Sequence, residues 1–130
     1  SIREPLGNTI IESGYCKKPV IASNIDGIAE IVVNKVSGIL IDPENNLSFE
    51  SLPKDAVTVP KFVVNPKTLE LQKPKEIDPI KLSESIVQLE TNPKLRKKYG
   101  ENLYMTVKQK FCIENYFKNL EKIYHEILLN

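Results

Sequence analysis

Lys17-Lys18-Pro19-Val20-Ile21-Ala22-Ser23, followed by Asn24-Ile25-Asp26-Gly27-Ile28-Ala29-Glu30-Ile31-Val32-Val33 and then by Ser37-Gly38-Ile39-Leu40-Ile41-Asp42-Pro43, decides the fold class. The first apolar run opens at a proline and does not alternate in polarity, which is the pattern of a short strand buried on both faces. Asp26-Gly27 reads as a turn that leads into a short helix. Ile39 to Ile41 then reads as a second buried strand, closed by the turn-forming pair Asp42-Pro43. Upstream, Ile10, Ile11, Gly14 and Tyr15 suit a short helix beginning near Gly7. Helix, strand, helix, strand is α/β alternation. It predicts a parallel sheet with ligand sites at the carboxyl ends of its strands, where residues 24–27 and 4–9 would both open.

Two glutamates flank the first helix start, Glu4 in the preceding loop and Glu12 inside the helix. Free N–H groups and the positive end of the helix dipole favour phosphate at such a start. Gly7 lets a ligand approach the backbone, and Asn8 and Thr9 offer side-chain donors. Glu12 lies roughly 7–8 Å along the axis from that end, about the reach from a diphosphate to the ribose of a nucleotide. A carboxylate accepts two hydrogen bonds from a vicinal diol, so Glu12 suits a ribose and Glu4 a sugar hydroxyl beyond the diphosphate. Without context the plainer reading, a solvated helix face and a loop charge, prevails.

The context is a resemblance. Residues 1–12, Ser1-Ile2-Arg3-Glu4-Pro5-Leu6-Gly7-Asn8-Thr9-Ile10-Ile11-Glu12, then Lys18-Pro19-Val20-Ile21-Ala22, Gly27-Ile28-Ala29-Glu30-Ile31-Val32 and Ser37-Gly38-Ile39-Leu40-Ile41-Asp42-Pro43, resemble the nucleotide-sugar half of a group 1 (family 4) retaining glycosyltransferase of the GT-B fold. The likeness resumes at Asn92-Pro93-Lys94-Leu95-Arg96, Gly100-Glu101-Asn102 and Phe111, similar to the helical tail of that domain. The resemblance implies that Glu4, the first glutamate of the family's E-x7-E motif, contacts the donor sugar and stabilises positive charge at its anomeric carbon. Glu12, the second, would bind the ribose hydroxyls, and the amides of Leu6, Gly7, Asn8 and Thr9 the diphosphate. The implied reaction is hexosyl transfer with retained configuration, with no cofactor beyond the nucleotide-diphosphate sugar that serves as donor. The sequence departs from the family in having Asp26-Gly27 where many relatives carry two adjacent glycines.

With 130 residues, 41% hydrophobic and 27% charged, the chain suffices for one core and not for two full domains. The fold class expected is therefore a partial Rossmann-like parallel sheet, half of a GT-B C-terminal domain. Residues 1–43 form its donor-site core, 44–77 an inserted β-hairpin, and 78–130 a helical tail. In the insertion, Ala56-Val57-Thr58-Val59 and Phe62-Val63-Val64, then the turn Asn65-Pro66-Lys67-Thr68, then Leu69-Glu70-Leu71-Gln72 read as strand, turn, strand. Two roles are open for it: an acceptor-side or partner-binding flap, or a decorative hairpin. Under either, its deletion is expected to spare donor binding. In the tail, Asp78-Pro79 and Asn92-Pro93 start helices, and Gly100 in mid-helix marks a tight crossing. The last helix has Ile113, Phe117, Leu120, Tyr124 and Ile127 on one stripe, expected to pack on the core or to cross towards another domain.

Two buried parallel strands make a poor sheet, so the chain is expected to work with an N-terminal acceptor domain or a second chain, or to self-associate through open sheet edges. Alone it is expected to be inactive. The alternative is a non-catalytic nucleotide-sugar-binding or split-subunit interaction domain. A net charge of +1 does not indicate nucleic acid. Lys94, Arg96, Lys97 and Lys98 suit either anionic lipid or a solvated helix face. His125 reads as a surface histidine, and Cys16 and Cys112 as free thiols of a reducing compartment. No Asp-x-Asp pair or His/Cys cluster argues for a metal. The expected location is cytoplasmic, with the inner face of the membrane as the alternative.

Overall fold

The computed structural model describes residues 3–47 and 59–129. Helix α1 spans Asn8–Tyr15, strand β1 Val20–Ser23, helix α2 Ile28–Ile31 and strand β2 Gly38–Ile41, in the order the sequence predicts. The strands pair in parallel, with Val20 opposite Gly38 and Ser23 opposite Ile41. Their period of two sends Val20, Ala22 and Leu40 to one face and Ile21, Ile39 and Ile41 to the other. Neither strand alternates in polarity because both faces are covered. On the first face lie Ile10, Ile25, Ile28, Ile31 and Val32, sealed by Leu103 and Val107 of helix α4 (Pro93–Lys110). The second face takes Leu89 of helix α3 (Pro79–Thr91) and Tyr99 of α4, flanked by Ile77, Leu82 and Leu95. The result is a partial Rossmann-like α/β sandwich with a helical tail.

Residues 44–77, the expected insertion, carry four short strands among the described residues. β3 (Asn45–Asn46) pairs antiparallel with β6 (Lys75–Glu76) at its base, and β4 (Val63–Val64) with β5 (Leu71–Gln72) nearer its tip. The expected hairpin is therefore present, but its reversal is longer than the sequence suggests. Leu69 and Glu70 belong to the turn: Leu69 has φ 60° and its N–H donates to the Asn65 carbonyl at 2.8 Å. The Asn65 side chain starts that turn by accepting the Lys67 N–H at 2.9 Å, a local bond that competes with strand pairing. Most of the strand expected at residues 56–59 lies outside the described residues.

The tail helices start as their sequence predicts. The Asp78 carboxylate accepts the Ile80 N–H at 2.8 Å, and the Asn92 side chain accepts the Leu95 N–H at 3.0 Å, each with proline in the first turn. Gly100 does mark a crossing: a Cβ there would stand 2.0 Å from the Lys17 carbonyl oxygen. Ile86 is exposed, whereas the neighbouring Ser85 is buried with its hydroxyl donating to the Lys81 carbonyl at 2.7 Å. Helix α5 (Ile113–Leu128) differs from one of its expectations, because it does not pack back on the core. None of its residues is buried, and Phe117 and Ile127 remain 59% and 65% exposed.

Candidate functional site

Gly7 shapes the mouth of α1. It is the N-cap residue, at φ 83° and ψ 58°, a left-handed conformation that glycine adopts without penalty. Because the cap has no side chain, no side-chain cap bond closes the first turn, where the helix offers the Asn8 and Thr9 amides no carbonyl partner. The Ile10 and Ile11 N–H groups both donate to the Gly7 carbonyl, at 2.9 and 3.2 Å. Glu4 lies in the preceding loop as expected, half-buried, and its Oε1 accepts the Gly7 N–H at 2.9 Å. One amide of the expected diphosphate set is thus engaged by Glu4 itself. Such a contact is favourable because a carboxylate meets the positive end of the helix dipole.

The structure brings Glu4, Thr9 and Ser13 to one small cleft of about 200 Å³, closed behind by β1. Leu6 and Asn8 are exposed and Gly7 is buried; none of the three lines this cleft, and Leu6 borders instead a separate one with Ile11, Phe111 and Ile113. Glu12 sits inside α1 as expected, exposed, roughly 7 Å along the axis from the mouth. The two glutamates therefore flank the helix start without touching each other's partners.

Asp26 is a residue that sequence reasoning missed. The Asp-Gly pair signals a turn, but nothing local reveals what the carboxylate holds. Its Oδ2 accepts the Glu4 N–H at 3.0 Å and its Oδ1 the Val64 N–H at 2.7 Å, while its own N–H donates to the Val64 carbonyl at 3.0 Å. The backbone there is left-handed, φ 44°. That conformation costs a residue other than glycine about 1–2 kcal/mol, whereas a hydrogen bond to a charged group contributes about 1.5–3 kcal/mol. Two such bonds outweigh the strain, which is how aspartate occupies a left-handed position. Gly27 is needed for a different reason. Its φ is −76°, but a Cβ would fall 2.2 Å from the Pro5 carbonyl oxygen, so the Glu4 loop closes against bare backbone.

A second polar junction lies at the carboxyl ends of the strands. Asp42, just past β2, accepts the Asn24 side-chain N–H at 2.7 Å and binds the Lys67 ammonium of the insertion at 2.5 Å. Partial burial raises the Asp42 pKa, but the hydrogen bonds from Lys67 and Asn24 and the charges of Lys67 and Lys81 outweigh it, leaving the carboxyl below its ordinary value of 3.8. Together Asp26 and Asp42 hold the insertion over the strand ends. Beside this junction is an open cleft of about 430 Å³, bordered by Arg3 and Pro5 on one side and Val64, Pro66 and Leu69 on the other.

The remaining candidates resolve simply. Arg96 donates to the Leu89 and Glu90 carbonyls at 2.8 and 3.0 Å, so one member of the basic cluster caps the end of α3. Lys97 reaches only its helix neighbour Glu101, at 4.0 Å. His125 is exposed, and Cys16 and Cys112 are free thiols. Among the described residues no three His, Cys, Asp or Glu side chains gather as a metal site, and no helix is long and apolar enough to cross a membrane.

Residues 1–58 match the family "Glycosyl transferases group 1". The chain is 28% identical over 124 residues to an uncharacterized glycosyltransferase of Methanocaldococcus jannaschii, an alignment that covers 95% of this chain and 26% of that protein. It is 47% identical over 45 residues to sucrose synthase 6 of Arabidopsis thaliana, covering 35% of this chain and 5% of that protein. The chain thus spans about a quarter of the length of the first relative.

Proposed function

From the premise that residues 1–58 are group 1 glycosyl transferase in sequence, we propose that this chain forms the donor-binding part of a retaining GT-B enzyme that moves a hexose from a nucleotide sugar to a glycan or lipid acceptor. In this reading 1–130 is a single partial domain, with its donor-site core at 1–43. The Asn8 and Thr9 amides receive the diphosphate as negative charge builds on the leaving group. Glu12 accepts the ribose hydroxyls, and Glu4 faces the sugar, with its Oε2 not used in the bond to Gly7. The expected partners are the nucleotide sugar and an acceptor-binding domain. Without the latter the chain binds donor but does not transfer.

One observation carries the reading: a glycine-capped helix start with one acid in the loop before it and another inside the helix, at the end of the fold where the parallel strands terminate. Ligands of open parallel sheets bind at that end. Titration calorimetry of this chain against uridine, guanosine, adenosine, cytidine and thymidine diphosphates, and against their hexose conjugates, tests it. One nucleoside diphosphate should bind, and Glu12→Ala should weaken it about tenfold, the loss of hydrogen bonds to a charged acceptor. No heat with any nucleotide would refute the donor-site reading. Equal affinities for the chain and its Glu12→Ala variant would remove the ribose role alone.

A further inference from the structure

The resemblance implies that the hairpin of β4 and β5 belongs to an insertion relative to the family pattern and that Asp26 stands at another departure from it. The structure joins the two. One carboxylate receives the Glu4 N–H, 22 residues away, through Oδ2 and the Val64 N–H, 38 residues away, through Oδ1. The return bond from the Asp26 N–H to the Val64 carbonyl makes the contact with the hairpin two-stranded in character. Lys67, at the hairpin turn, adds a separate anchor through Asp42 to Asn24, so the hairpin is held to the ends of both β1 and β2. Within that frame Arg3 and Pro5, which bracket Glu4, face Val64, Pro66 and Leu69 across a shared cleft. Leu69 is 80% exposed and held at φ 60° by the turn that Asn65 closes, so an apolar side chain is presented at the cleft edge.

We infer that Asp26 is a positioning residue that fixes the Glu4 loop and the hairpin as one rigid unit: the hairpin borders the cleft of Arg3 and Pro5, Glu4 borders the neighbouring cleft of Thr9 and Ser13, and Asp26 couples the two through the loop. The inference deepens the donor-site reading and rests on it for the identity of the ligand, but the tether itself does not. A hairpin held this way is coupled to the residue at the sugar. Its removal would disturb donor binding, contrary to the independence expected of a mere insertion. The Asn8 and Thr9 amides and Glu12, which take no part in these bonds, would be spared. Asp26 therefore acts on recognition of the sugar and not of the nucleotide.

Asp26→Gly tests the tether without straining the backbone, since glycine tolerates the left-handed conformation. Amide hydrogen exchange should accelerate at Glu4 and Val64 by about tenfold or more, measured relative to Leu103 and Val107 in the core of α4, the ratio cancelling any global loss of stability. Asp26→Asn, whose side chain offers one accepting oxygen in place of two, should accelerate one of the two sites. Calorimetry then supplies the functional readout. The ratio of affinities for a nucleotide sugar and its bare nucleoside diphosphate should fall several-fold in Asp26→Gly, with the diphosphate affinity itself nearly unchanged. Unchanged relative exchange at Glu4 and Val64 overturns the tether, and an equal loss for sugar nucleotide and diphosphate overturns the role at the sugar. Failure of the unaltered chain to bind any nucleotide would instead remove the donor-site reading while the exchange result still decides the tether.

Discussion

Close approach, more than conformational freedom, explains Gly27 and Gly100. At Gly100 a methyl group would stand 2.0 Å from the Lys17 carbonyl oxygen, where α4 crosses the loop between α1 and β1. Alanine would gain about 1 kcal/mol of helix propensity, but the clash is with backbone and the helix must move away at a cost of about 3 kcal/mol. Gly100→Ala should therefore lose about 2 kcal/mol in urea unfolding. An unchanged or raised midpoint would contradict the crossing. Gly100 announced itself in the sequence as a costly residue in mid-helix. Asp26 did not, because an Asp-Gly turn looks the same whether its carboxylate is solvated or holds two distant amides.

Among the elements, the hairpin is attached through a group that titrates, Asp42. Asp42 has its folded pKa below 3.8, so in the window between the folded and unfolded values the unfolded chain binds more protons and stability rises with pH. Its contribution is complete above the ordinary carboxylate value and is lost as pH falls through the lowered one. Both partners are substantially exposed, 63% for Lys67 and 46% for Asp42, so solvent screening keeps the effect small. Asp42→Asn should flatten the acid limb of a stability-against-pH curve below about pH 4 and leave the neutral range parallel. Identical acid limbs would show that the junction does not hold the hairpin. Helix α3, by contrast, was fully announced by Asp78-Pro79, whose cap and proline act within a single turn.

Across the molecule, burial is divided between the two faces of β1 and β2, and α5 lies outside both clusters. Its apolar stripe is open, with Ile113, Tyr116, Phe117, Tyr124 and Ile127 each at least 59% exposed. A chain ending at residue 112 should accordingly keep its thermal midpoint within about 4 °C, the equivalent of roughly 1 kcal/mol, and should bind less of an apolar dye such as ANS. A much larger fall would mean that α5 stabilises the core after all. Local chemistry wrote the order of elements, the capped helix starts and the acids about the α1 mouth into the sequence, since each depends on neighbours a turn or two away. The bonds from Asp26 to residues 4 and 64, and the choice of what α5 leaves uncovered, required the folded chain. Hydrogen bonds between segments tens of residues apart leave no periodic trace, and an amphipathic period records that a face is apolar without recording what lies against it.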